Sequence, residues 1–169
     1  MEKTVIFRDV GKIVVQRTMN SLSINEDSVL SFFEPVKKRE MDLENPELQV
    51  ESNIWKRFDG REIPGILGDL ETTIYSLCPY VDNSTVIGEI KRIGANKKFT
   101  YFEALSVIKE SILAGKIDKK QNGVIAYFEI KDEFLLFFAY RRYDGLLSIG
   151  IREGNLKIKW CEDYYVCFN

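Results

Sequence analysis

Hydrophobic and polar positions divide the chain into a first half of short, mixed segments and a second half that reads as one helix followed by strands. The clearest helix runs from Tyr101 to Ala114. At about 100° per residue, Tyr101, Ala104, Leu105, Ile108 and Ile112 fall on one face and Glu103, Ser106 and Glu110 on the other. Thr100 and Glu103 have capping-box spacing, and Gly115 stands where a left-handed C-terminal cap belongs. From Gly123 onward the pattern is that of strands, broken by turn signals at Lys131-Asp132-Glu133, Asp144-Gly145 and Gly154-Asn155. Read as tight hairpins, these place Ile130 opposite Phe134, Tyr143 opposite Leu146 and Glu153 opposite Leu156. The expected product is a four-stranded antiparallel meander.

Parity along those strands sorts the side chains onto two faces. One collects Val124, Ala126, Phe128, Phe134, Leu136 and Phe138 and is expected to lie under the Tyr101–Ala114 helix. The other makes Tyr127 and Phe137 cross-strand partners, with Arg141, Arg152, Lys157 and Lys159 alongside. Aromatic rings flanked by bases suit stacking and phosphate contact, or a protein partner anchored by aromatic and Arg residues.

The first half is less regular. Val5-Ile6-Phe7 and Lys12 to Gln16 flank Asp9-Val10-Gly11, which predicts an opening β-hairpin with a turn glycine. A short helix is expected from Asn25 to Glu34, with Ser23 and Glu26 in capping-box spacing and Pro35 as its stop. Lys37-Lys38-Arg39 then precede the acids Glu40, Asp42, Glu44, Glu47 and Glu51, a run that reads as a solvated loop or as an acidic surface for a basic partner. Pro64 near its start and Pro79 after its end suggest a helix over Leu67 to Leu77. The fold class is therefore α+β in one domain, 1–169, with an N-terminal hairpin, two or three helices and the C-terminal sheet.

Composition narrows the chemistry. The 169 residues contain no histidine, which removes Ser-His-Asp, Cys-His and H-E-x-x-H machinery from the chain. No loop has the glycine and lysine pattern of a known nucleotide cradle. Cys78, Cys161 and Cys167 show no C-x-x-C spacing and are expected to be reduced thiols, consistent with a cytoplasmic location. The opening residues lack a signal-peptide core, and the longest uncharged stretch, Thr72 to Val81, is too short to span a bilayer, so no membrane association is expected.

Charge is asymmetric. Residues 1–84 hold 10 bases and 15 acids, net −5, while 85–169 hold 14 bases and 11 acids, net +3. The acidic half could pack over the basic sheet face, or each could meet a partner. Lys91, Arg92, Lys97 and Lys98, and separately Lys116, Lys119 and Lys120, form further basic clusters, though a net charge of −2 is not the usual footprint of a nucleic-acid binder. Near the C-terminus, Glu162, Asp163, Tyr164 and Tyr165 join acids to tyrosines, a combination suited to basic protein partners.

The leading expectation is a small, non-enzymatic binding protein acting by surface complementarity, an inhibitor or immunity-type neutraliser of a macromolecular partner, protein ahead of nucleic acid, with no cofactor. The alternative is nucleic-acid binding on the second sheet face or metal-dependent nuclease chemistry. Asp118 before a strand, with Glu129 and Lys131 at its end, resembles the PD-(D/E)xK nuclease pattern from Asp118 to Lys131. That resemblance implies two carboxylates holding Mg²⁺ or Mn²⁺ and a lysine orienting the attacking water.

Overall fold

The computed structural model describes residues 7–15, 22–44, 47–63, 68–77, 81–93, 99–154, 157–160 and 164–168. The first half contains β1 (Phe7–Val15), β2 (Leu22–Ser23), α1 (Glu26–Phe32), α2 (Glu34–Asp42), β3 (Leu48–Val50), α3 (Asn53–Lys56), β4 (Glu62–Ile63), β5 (Leu70–Leu77) and β6 (Val81–Asp82). It is followed by α4 (Asn83–Arg92), α5 (Tyr101–Leu113), β7 (Gly123–Ile130), β8 (Glu133–Arg141), β9 (Leu147–Glu153), β10 (Lys159–Trp160) and β11 (Tyr164–Cys167). Seven of these strands form one mixed sheet in the order β1-β5-β11-β7-β8-β9-β3, while β10 pairs with β6 and β2 with β4. Neighbours in the large sheet are antiparallel except β11 with β7 and β3 with β9.

The helix at 101–113 forms as its sequence dictates. Thr100 and Glu103 complete the capping box, Ala114 is the C-cap, and Gly115 follows at φ +73°. Its burial goes beyond one stripe: Phe102, Ser106, Val107 and Ser111 are covered as well. The cause is its position, with β1, β7 and β8 on one side and α2 on the other.

Other local expectations change in the folded chain. Of the opening segment, Phe7–Val15 is one strand, with a register shift between Asp9 and Gly11, where Gly11 N–H donates to Asp9 Oδ1 at 3.0 Å; Val5, Ile6 and Gln16 lie outside the described residues. The glycine makes a bulge there, with β5 as the partner strand, instead of a hairpin turn. Asn25, not Ser23, caps α1 and shares a capping box with Ser28. Pro35 sits in the first turn of α2 and starts that helix, where its missing N–H costs nothing. The start of the charge run, Lys37 to Asp42, is consequently helix α2, while Glu47 and Glu51 flank β3 and residues 45–46 lie outside the described residues. Of the segment expected as a helix at 67–77, Leu70–Leu77 is strand, where Thr72, Thr73, Ile74 and Tyr75 supply β-branched and aromatic side chains, and Leu67 lies outside the described residues.

The meander contracts to three strands, β7-β8-β9, and both of its described turns differ by one residue from the expected ones. Lys131 and Asp132, at φ +47° and +65°, form a two-residue loop that sets Ile130 opposite Glu133. The next loop has three residues, Tyr143-Asp144-Gly145, closed by Arg142 N–H to Leu146 O at 2.8 Å, with Gly145 at φ +90°. The two differences cancel for β9 but turn β8 over, so Leu135, Phe137 and Ala139 join Val124, Ala126 and Phe128 in one core. Leu136 joins Ile125, Tyr127 and Val166 in another core, with Phe134 and Phe138 packed against it. β8 is apolar on both sides, so alternation carried no information about which side faced which layer. The fourth expected strand does not pair with β9: Lys159 and Trp160 pair with Asp82 and Val81, while Asn155 and Leu156 of the expected third turn lie outside the described residues.

The sheet is thus covered on both faces. α1, α3 and α5 contribute to the core built on Phe128 and Phe137, and α4 with Val81 and Trp160 covers the face carrying Ile125 and Tyr127. Asn83 at the start of α4 ties that second layer down: its Oδ1 accepts from Tyr127 Oη and from Trp160 Nε1, and its Nδ2 donates to Gly154 O. No helix among the described residues is long and apolar enough to cross a membrane.

Candidate functional site

The predicted aromatic and basic face is not a surface. Tyr127 and Phe137 are buried and lie in different cores, on opposite sides of the sheet. Burial pushes the Tyr127 hydroxyl above the ordinary tyrosine range. Arg141 is 3% exposed and Glu40 1%. Arg141 Nη1 and Nη2 reach the two Glu40 oxygens at 2.5 and 2.9 Å, Nε and Nη1 also donate to Ile117 O and Gly145 O, each at 3.2 Å, and Nη2 lies 3.8 Å from Asp118 Oδ1. Arg152 is half-buried, lies over the Phe138 ring at 4.7 Å and grips Glu51 at 2.6 and 3.1 Å. Two acids of the N-terminal run are therefore neutralised by two bases of the C-terminal sheet. Lys157 and Lys159 are exposed.

The C-terminal acid and tyrosine cluster is only partly described. Glu162 and Asp163 lie outside the described residues, whereas Tyr164 and Tyr165 are half-buried on β11 and point to opposite faces. Tyr164 stacks on Tyr140 at 5.9 Å and meets Trp160 at 5.3 Å. Cys167 is buried with a free thiol, which burial pushes up to about 12; Cys78 and Cys161 are outside the described residues.

Asp118, Glu129 and Lys131 are not brought together. Asp118 precedes β7 and accepts from Arg39 Nη2 at 2.8 Å. Glu129 is near the far end of that strand, about 20 Å away at roughly 3.3 Å per residue, and Lys131 lies in the turn beyond it. Among the described residues no group of three or more metal-ligating side chains forms.

A different feature emerges where α1, α2 and β3 meet. A groove of about 800 Å³ runs between the two helices and the edge of the sheet. Phe33 and Trp55 form its buried floor, while Leu30 and Met41, 39% and 63% exposed, lie open along its helical wall. Glu26, Glu34 and Glu47 line it, are exposed, and make no ion pair among the described residues. Of the bases there, Arg142 is held by Asp144 at 3.0 Å, which leaves Lys37 facing three carboxylates. No known family model, curated protein or solved structure matches this chain.

The groove joins apolar contact area to unbalanced negative charge, the two properties that favour and steer a cationic protein surface. Of its three acids, Glu26 comes from α1, Glu34 from the start of α2 and Glu47 from the run visible in sequence. Its existence depends on α2 being a helix, because Val36 and Glu40 turn inward one turn apart and leave Glu34, Lys37 and Met41 outward. The period from Phe33 through Val36 to Glu40 was the available signal, hidden by the charge of Glu40 itself. A second groove, by Lys56, Arg57 and Arg152, has its charges largely consumed internally: Arg57 reaches Glu153 at 2.5 Å and Glu133 at 3.1 Å, and Arg152 is held by Glu51.

Proposed function

We propose that this is a binding protein that acts by surface complementarity on a basic protein partner, an inhibitor or immunity-type neutraliser, and that the groove beside β3 receives that partner. The observation supporting this reading is the set of three carboxylates without an ion pair among the described residues, Glu26, Glu34 and Glu47, around the exposed side chains of Leu30 and Met41. Exposed apolar surface rimmed by polar groups marks interaction sites. A cationic partner would be steered by the rim and held by the apolar centre, so its association weakens as salt screens the carboxylates.

The test is an affinity capture from native lysate, divided into nuclease-treated and untreated halves and run beside the Glu26→Lys/Glu34→Lys/Glu47→Lys variant. A stoichiometric basic protein that survives nuclease and is lost from the variant is the expected result. Retention of the same protein by the charge-reversed variant, or capture that depends on nucleic acid, overturns the reading.

A further inference from the structure

We infer that the groove takes its partner as an extended segment of alternating apolar and basic residues that adds a strand to the edge of β3 away from β9, which has no partner strand among the described residues. This inference rests on the proposed function and specifies the form of the partner.

β3 ends the seven-stranded sheet, with β9 as its neighbour among the described strands. Leu48, Gln49 and Val50 all line the groove. Successive strand side chains point to opposite faces, so a cavity on one face would touch every second residue. Contact with all three places the groove along the strand's edge. The hydrogen bonding agrees: Glu51 N–H donates to Ile149 O at 2.9 Å, which directs the backbone groups of residues 49 and 51 toward β9. Alternation then directs the N–H and C=O groups of Leu48 and Val50 away from β9, to the groove side.

The opposite edge of the sheet is built differently. β1 carries Arg8, Asp9 and Lys12 and the bulge at Gly11, devices that discourage strand addition. β3 has neither bulge nor lysine; its shortness limits the ladder, and the α1–α2 wall supplies the remaining contact. A strand seated there would present one set of side chains to Leu30 and Met41, and its bases to Glu26, Glu34 and Glu47. Backbone hydrogen bonds would supply affinity and the alternate side chains specificity.

A phage-displayed library of random short peptides, panned against the full chain, tests this. Peptides that lose binding to the Leu30→Glu/Met41→Glu variant would be resynthesised with N-methyl amides at alternate positions. Expected are sequences that alternate apolar and basic residues, with N-methylation in one phase weakening binding about tenfold or more and in the other phase by less than about twofold. Groove-dependent peptides that tolerate N-methylation in both phases, or that show helical spacing, overturn strand addition and leave the proposed function standing. Panning that yields no peptide sensitive to the groove variant overturns both.

Discussion

Arg141 closes an apolar strand and points into the interior, where Glu40 takes one N–H from each of its terminal nitrogens. Removing one member of such a pair strands a buried charge, at about 3–5 kcal/mol, whereas replacing both with apolar groups of similar size is often neutral. Arg39 Nη1, 3.5 Å from Glu40, still faces the carboxylate when Arg141 is removed, so Arg141→Met should lower the unfolding free energy by the lower end of that range, about 3 kcal/mol, in urea titration, and adding Glu40→Leu should recover part of it. Cys167 makes a second test at this scale. With its thiol pushed up to about 12 by burial, it should resist iodoacetamide in the folded protein at about pH 8 and label fully in denaturant, as followed by peptide mass spectrometry. Both residues are plain in the sequence as types, one basic and one thiol. Their burial is not, because it depends on strands and helices that meet from distant parts of the chain.

At the scale of elements, α4 shows how a local rule carries through. Its cap, Asp82, accepts from the Ser84 hydroxyl and the Thr85 N–H, both at 2.7 Å, and these bonds hold its carboxyl below the usual carboxylate range. A depressed folded-state pKa stabilises the fold above the unfolded value, and that contribution is lost as pH falls through the folded one. Asp82→Ala should accordingly be less stable than the wild type at neutral pH. The difference should shrink as pH drops through the carboxylate range, in paired thermal melts. The Thr100–Glu103 box was legible in the sequence, since caps are formed by residues a few positions apart. β5 was not: an apolar run bounded by prolines reads as helix or strand, and its pairing with β1 and β11 decides between them.

On the scale of the whole molecule, the charge asymmetry of the halves resolves into internal pairs and a remainder of acids without an ion pair among the described residues. Glu40 and Glu51 meet Arg141 and Arg152, while Glu26, Glu34 and Glu47 remain at the groove. Because Glu47 is exposed, outside any helix and without an ion pair among the described residues, Glu47→Lys should unfold within about 0.5 kcal/mol of the wild type, measured by chemical denaturation. A larger loss would mean that the rim supports the fold.

By itself the sequence determined the capped helix at 101–113, the antiparallel strands around the turns at 131 and 145, and the absence of histidine-based chemistry, because each depends on residue type or near-neighbour spacing. Tertiary structure alone decided that β8 is turned over, that the acidic run begins in a helix that buries Glu40, and that a groove opens beside β3. Each of these depends on which distant surface covers a face. A strand apolar on both sides, like β8, contains no local preference between the two layers that bury it.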